Sequence, residues 1–170
     1  MSILIETPRL QMRQFTMDDV EAVYEFSTNE SVTRFTGDVG FIQTRQDAEH
    51  VIRDIWIAEY EKYGYARYAL IHKEENRVIG FCGLKYEPEL GSPDIGYRML
   101  PDYWGKGLGT EACQAILNYA KEELGLGKIV AEVVIENIAS NQILQKLGFI
   151  HKNTYLKKGF SIHYYELVHS

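Results

Sequence analysis

Leu100-Pro101-Asp102-Tyr103-Trp104-Gly105-Lys106-Gly107-Leu108-Gly109-Thr110 is the stretch on which the reading of this chain turns. Residues 94–100 before it alternate as a strand. After it, Leu108, Ala112, Ile116, Tyr119 and Ala120 form the stripe of a long helix that Gly125 and Gly127 end. A strand-to-helix junction points successive backbone N–H groups outward and adds the positive end of the helix dipole, so it suits a phosphate or pyrophosphate. Gly105, Gly107 and Gly109 let the backbone approach such an anion closely. An ordinary tight turn is the plainer alternative, and three alternating glycines at the junction favour the anion site.

The spacing narrows the choice of ligand. A P-loop needs Gly-x-x-x-x-Gly-Lys-Ser/Thr, which this stretch does not provide. A dinucleotide fingerprint needs Gly-x-Gly-x-x-Gly, and after Gly105 and Gly107 its third glycine falls on Thr110. Glu132 lies about 20 residues further on, where a ribose-binding acid would sit, but no early βαβ unit precedes the motif. A dinucleotide-dependent oxidoreductase is therefore the second reading.

Working outward, residues 7–13 alternate as a first strand, and Thr16 with Asp19 reads as a helix cap. A second cap, Thr44 with Asp47, precedes the helical stripe Ala48, Val51, Ile52, Ile55 and Trp56. Residues 65–71 and 77–86 read as strands around the polar loop Lys73-Glu74-Glu75-Asn76, and Pro88, Gly91 and Pro93 break the chain before residue 94. Residues 128–135 are a β-branched run, a short helix stops at Gly148, and residues 149–155 and 160–168 close a hairpin around Lys158-Gly159. The order predicts an α/β (α+β) fold: a mixed, largely antiparallel central sheet of about seven strands flanked by helices. The 170 residues are expected to form a single domain, residues 1–170.

Apolar residues at 45% and charged residues at 25% are ordinary for a soluble protein. No stretch nears the roughly 18 apolar residues of a membrane span, and the start lacks the pattern of a signal peptide, so a cytoplasmic protein without membrane partners is expected. Cys82 and Cys113 sit among apolar neighbours and outside any Cys/His cluster, as buried free thiols rather than ligands of a metal. A net charge of −6 argues against a nucleic-acid partner, since Lys121 and Lys157-Lys158 are too scattered for a basic patch. It agrees with a cationic acceptor such as an amine.

The segment Trp104-Gly105-Lys106-Gly107-Leu108-Gly109 resembles the Arg/Gln-x-x-Gly-x-Gly/Ala signature of the GNAT superfamily of N-acetyltransferases, with Trp104 in place of the usual Arg or Gln. Tyr103 to Gly107 followed by Thr110-Glu111-Ala112 looks like the branch holding RimJ- and RimL-type N-terminal acetyltransferases. Thr7-Pro8-Arg9-Leu10, Ile95-Gly96-Tyr97, and Glu136-Asn137-Ile138-Ala139-Ser140-Asn141 running to Lys146-Leu147-Gly148-Phe149 extend the resemblance over essentially the whole chain, in order.

The resemblance implies acetyl-CoA as cosubstrate and direct transfer of its acetyl group to a primary amine in a ternary complex, without a metal. It implies that the amides of Lys106, Gly107, Leu108, Gly109 and Thr110 hold the CoA pyrophosphate, and that backbone groups at Tyr97, Met99 and Leu100 pair with the pantetheine arm. Asn137 would hydrogen-bond the pantetheine, a helix N-cap being an equal and compatible role, with Ser140 beside it. A base must accept the amine proton. Asp94 and Glu132 are the candidates, although Asp94 reads equally as a solvated carboxylate at a strand end. The family's usual tyrosine acid position falls on Leu144, which leaves Ser140, in the place where RimL-type relatives are thought to use a serine, or a water to protonate the leaving thiolate. The family's acceptor site is shaped by the first two helices and the final hairpin, which makes Phe35, Phe41, Tyr63, Tyr65 and Tyr164 candidate walls, although ordinary packing is the plainer reading of each. The acceptor is a protein N-terminus or a small amine. An α-amino group of pKa about 8 is roughly 10% neutral at pH 7, a lysine amine below roughly 0.1%; the branch resemblance also favours the N-terminus. Dimers are common in the family, and a homodimer is carried on that ground alone. A non-catalytic acyl-CoA-binding module is the remaining alternative.

Overall fold

The computed structural model describes residues 2–34 and 40–168, so Phe35 lies outside the described residues. Eight strands form one sheet: β1 (Ile5–Glu6), β2 (Leu10–Arg13), β3 (Arg67–His72), β4 (Arg77–Glu87), β5 (Ser92–Met99), β6 (Lys128–Val134), β7 (Ile150–Lys157) and β8 (Phe160–Val168), in the order β1-β2-β3-β4-β5-β6-β8-β7. Every neighbouring pair is antiparallel except β5 and β6. The helices are α1 (Val20–Thr28), α2 (Glu30–Thr33), α3 (Arg45–His50), a π-helical stretch Val51–Ile57 leading into α4 (Ala58–Tyr63), α5 (Leu108–Glu122) and α6 (Ile138–Lys146). No described helix is long and apolar enough to cross a membrane.

The eighth strand comes from a correction at the start. Residues 7–9 are a turn rather than strand: the Thr7 N–H donates to the Leu10 carbonyl (2.9 Å) and the Leu10 N–H to Thr7 Oγ1 (3.0 Å). Pro8 has no N–H to give a ladder, so β1 folds back on β2 there. Both helix caps form as full capping boxes, Thr16 with Asp19 and Thr44 with Asp47. Ala48, Ile52, Trp56 and Tyr60 are all buried. A spacing of four drifts around an α-helix, and the wider π turn offsets the drift.

Adjacent residues on a strand face opposite ways, and Phe81 and Cys82 of β4 show which helices cover which face. Phe81 meets Phe26 of α1 and Trp56, with centroids 6.0 and 5.8 Å apart; Cys82 meets Cys113 of α5. Trp56 in turn stacks on Phe15 at 4.5 Å. On the other face Ala112, Ile116 and Ala120, the stripe read from the sequence, are buried.

Candidate active site

The one parallel neighbour pair is where the sheet opens. Strands β4 and β5 share eight register pairs from Gly80–Met99 to Glu87–Ser92, whereas β5 and β6 share a single one, Asp94–Val130. Beyond that pair the strands part, and two cavities of about 620 and 320 Å³ lie along the gap. Tyr97, Arg98, Asn137 and Ser140 line both, so these residues mark the passage between them.

The larger cavity contains the glycine-rich turn. Gly105 and Gly107 have φ of +73° and +79°, a conformation that side chains rarely adopt. Gly107 is the N-cap of α5 and gives no side-chain cap, which leaves the first amides of the helix to an outside acceptor. Gly107, Leu108, Gly109 and Thr110 all line this cavity. Gly109 also admits a neighbour: a Cβ there would sit 3.1 Å from both Tyr97 Cε2 and Ile143 Cδ1.

The turn is held from the far end of the chain. Arg9 donates through Nη1 to the Lys106 carbonyl (2.8 Å) and through Nε to Glu111 (2.8 Å), and the Thr7 hydroxyl donates to the same carboxylate (2.6 Å). Burial opposes the charge on Glu111, but the bonds from Thr7 and Arg9 outweigh it and hold the carboxyl below its usual range. Thr7-Pro8-Arg9-Leu10 and Thr110-Glu111 therefore act as one brace. Trp104 supplies another, its indole Nε1 donating to the Met99 carbonyl at 2.8 Å.

Two expected backbone contacts are narrowed by this arrangement. The Leu100 N–H donates to the Ile79 carbonyl (2.9 Å), which leaves its carbonyl, already accepting from Tyr103 (3.0 Å), as the one backbone group with a lone pair to offer a pantetheine arm. Met99 lines the larger cavity, but its carbonyl is engaged by Trp104.

At the passage, the Tyr97 hydroxyl and Ser140 Oγ are hydrogen-bonded at 3.0 Å. Burial pushes the Tyr97 phenol up to about 12, with the Ser140 bond pulling the other way. Asn137 caps α6, its Oδ1 accepting from the Ser140 N–H at 3.3 Å. Asn141 Nδ2 donates to the Asn137 carbonyl at 2.8 Å and to the end of β6, while its Oδ1 accepts from Tyr165 at 2.6 Å. The β6–α6 turn that presents Ser140 is thereby fixed. Leu144 is buried and apolar, and it lines the smaller cavity without a proton to give.

The smaller cavity holds the charge. Asp94 and Glu132 both line it, as do Arg67, Lys157 and Lys158. Burial pushes the Asp94 carboxyl up to about 7; Arg67 opposes this, Glu87 and Glu132 add to it, and Lys157 opposes it. Arg67 Nη2 stands 3.9 Å from Asp94 Oδ2, too far for a hydrogen bond. Its Nη1 donates instead to the carbonyls of Gly83 (2.8 Å) and Asp94 (3.0 Å). The guanidinium lies against Gly96, where a Cβ would come within 2.7 Å of Nη2. Glu132 is differently placed: Lys157 Nζ donates to Oε1 at 2.8 Å and the Tyr155 hydroxyl to Oε2. One carboxylate thus keeps open lone pairs, and the other is tied.

The expected acceptor walls fare less well. Phe41 is 64% exposed, and Tyr63, Tyr65 and Tyr86 pack on one another; none of these, nor Tyr164, lines either cavity. Phe81, Phe160 and Ile162 line the smaller cavity instead. Lys106 contributes its carbonyl to Arg9, and its side chain lies over the Tyr103 ring.

Comparison with known proteins agrees with this geometry. The model of the acetyltransferase (GNAT) domain matches residues 9–150. The uncharacterized N-acetyltransferase YoaA of Bacillus subtilis (strain 168) is 31% identical over 149 residues, covering 86% of this chain and 82% of that one. A GNAT-family acetyltransferase of Bacillus anthracis is 26% identical with a TM-score of 0.80, over 96% of this chain and 97% of that one. RimL, a ribosomal L7/L12 alpha-N-protein acetyltransferase solved with coenzyme A, shares the fold at a TM-score of 0.82 and 17% identity, over 99% and 98% of the two chains. A glycine turn with uncapped amides, opening into a gap that ends at a buried carboxylate, fits a long phosphorylated thioester and not a dinucleotide lying across a doubly wound sheet. The chain belongs to the GNAT family of acetyltransferases and is an acetyl-CoA-dependent N-acetyltransferase.

Proposed function

We propose that the protein acetylates a primary amine that enters the smaller cavity, with Asp94 as the base. The observation that carries this is Asp94 itself: a carboxylate at the foot of the β5–β6 gap, 15% exposed, pushed up to about 7 by burial, and free of any hydrogen bond from Arg67. A base titrating near neutrality can take a proton at pH 7 and release it again. Glu132, tied by Lys157 and Tyr155, is a positioning group that keeps Lys157 in place.

Acetyl-CoA brings an activated acyl group. The uncapped amides of Leu108, Gly109 and Thr110 hold its pyrophosphate, and backbone N–H groups of β5 that face the gap hydrogen-bond the acyl oxygen as it takes on charge. Asp94 accepts the proton that the amine nitrogen loses as the C–N bond forms and the C–S bond breaks. The Tyr97–Ser140 hydroxyl pair donates a hydrogen bond to the departing sulfur, and water completes its protonation. In RimL the acceptor is a ribosomal protein N-terminus; here either an α-amino terminus or a small amine meets the requirement for a nitrogen with an accessible neutral form. A cytoplasmic site of action accords with two buried free thiols, Cys82 and Cys113.

Thermal unfolding with acetyl-CoA, CoA, NAD and NADP, followed by thiol release across a panel of amines, tests the proposal. At 100 times its dissociation constant a selective ligand contributes about 2.7 kcal/mol. The expected result is a raised midpoint with acetyl-CoA and CoA alone, and amine-dependent thiol release that Asp94→Asn lowers by about 100-fold or more. Stabilisation by the dinucleotides alone, or full release by the Asp94→Asn protein, would overturn it.

A further inference from the structure

Around the smaller cavity the charges pair off with one left over. Arg67 stands beside Asp94, and Lys157 is held by Glu132 at 2.8 Å and by Glu89 at 3.9 Å. Lys158 also lines the cavity, is exposed, and forms no ion pair among the described residues. Among the described residues, Lys158 is thus the cation of this chamber with no carboxylate set against it.

The backbone at Lys158 is a second, separate observation. Lys157 pairs with Phe160, so Lys158 and Gly159 alone make the loop of the β7–β8 hairpin, and both have positive φ, +52° and +83°. Such two-residue loops favour Asn-Gly or Gly-Gly, because a long side chain at the first position is strained. Lysine here costs the hairpin stability and places an ammonium group at the mouth of the cavity. The lining shared with Lys158 and Asp94 includes apolar Phe160, Ile162 and Ile95.

From this arrangement we infer that the acceptor is a primary amine carrying an anionic group, a carboxylate or phosphate, that Lys158 binds while the amine meets Asp94 across a short apolar spacer. This rests on the acetyl-transfer reading above. It runs against the expectation drawn from the net charge of −6, because the charge lining the cavity has the opposite sign from that of the whole chain.

The test is acetyl-CoA-dependent thiol release by the full chain on matched acceptors: ω-amino carboxylates against their carboxamides, aminoalkyl phosphates against amino alcohols, diamines and spermidine as cationic comparators, and short peptides with Asp or Asn second. The expected result is a kcat/KM about 10- to 100-fold higher for the anionic member of a pair, the loss that removing a charged hydrogen-bond partner brings. Lys158→Gln should bring that ratio close to one and Lys158→Glu should invert it towards diamines, while the midpoint shift with acetyl-CoA persists in both. The peptide arm separates an acidic N-terminus from a small molecule as the source of the anion. Equal rates within pairs, a preference for diamines, or an unchanged ratio in Lys158→Gln overturns the Lys158 assignment alone. No acetyl-CoA shift, or turnover of no amine, removes the acetyl-transfer reading with it.

Discussion

Replacing Arg67 by methionine isolates the group that sets the working pH of Asp94. Methionine keeps much of the stem that packs beside Phe81 and removes the charge. Two unit charges 3.9 Å apart attract by about 1 kcal/mol in a water-like medium and by about 4 kcal/mol at an effective dielectric of 20. Dividing by about 1.36 kcal/mol per unit gives roughly 1 to 3 pH units. Arg67 favours the ionised carboxylate, so its loss raises the Asp94 pKa further. The base must be ionised to act, so the acidic limb of kcat/KM against pH moves to higher pH by that amount. At pH 7 the variant loses about 10-fold or more, and most of the loss returns by about pH 9.5. Arg67→Lys retains a charge but cannot bond both the Gly83 and Asp94 carbonyls, so its limb should stay near the parent's while kcat falls at every pH. A Met variant whose activity drops uniformly, with the limb unmoved, would refute the argument and leave Arg67 a purely structural tie between β3, β4 and β5.

Asp94→Asn should cost about 10²- to 10⁴-fold in kcat/KM, the usual contribution of a positioned base. The same variant should be more stable than the parent by a margin that opens above about pH 4 and reaches its full size near pH 7. The folded chain holds the Asp94 proton up to about pH 7 whereas an unfolded one releases it near pH 4, so parent stability declines across that window and the asparagine protein, compared by melting at pH 4 and pH 8, gains only at pH 8. Ser140→Ala and Tyr97→Phe should each lower kcat while leaving the CoA-induced midpoint shift in place, and the double variant should lose little more than the worse single one, because the two hydroxyls act as a pair at 3.0 Å. Additive losses would show that they act separately. Gly109→Ala sets a methyl 3.1 Å from Tyr97 and Ile143, an overpacking of about 1–3 kcal/mol that should also raise KM for acetyl-CoA if the glycine turn holds the pyrophosphate as proposed.

What the chain disclosed before folding was what local physics fixes. Thr16 and Thr44 cap because a hydroxyl and a carboxylate three residues on satisfy each other's orphan amides, a relation contained in four residues. The glycine turn was legible for the same reason, and so were most strands, within a residue or two. The acceptor chamber was not. Arg67 enters from β3, Glu132 from β6, and Lys157 and Lys158 from the β7–β8 hairpin, and only the strand order and register bring them to Asp94. The family resemblance pointed to Tyr63, Tyr65 and Tyr164 as acceptor-site walls, but Tyr63 and Tyr65 pack on one another and Tyr164 bonds Glu166. Trp104 stood out only as a departure from a motif, with nothing local to show that its indole would reach Met99.

The placement of the site follows from the one break in the antiparallel pattern. A parallel neighbour cannot be reached by a hairpin, so the chain leaves β5, crosses along α5 and returns as β6. That crossover places the N-terminus of α5, with its unsatisfied amides, just past the carboxyl end of β5, where the strand edge is also unpaired. One topological step therefore yields an anion site and a row of backbone hydrogen-bonding groups along a single line. The same step buries Asp94, because the lone surviving β5–β6 pair closes the gap at Asp94 and Val130. A carboxylate on an exposed strand end would titrate near 4 and be too weak a base to take a proton from an ammonium group. At the closed end of the gap, desolvation raises it to where it can exchange protons at neutral pH, with Arg67 close enough to limit the rise and too far to occupy its oxygens. On the proposed mechanism, the opening that admits acetyl-CoA and the burial that equips Asp94 as the base are two ends of the same seam.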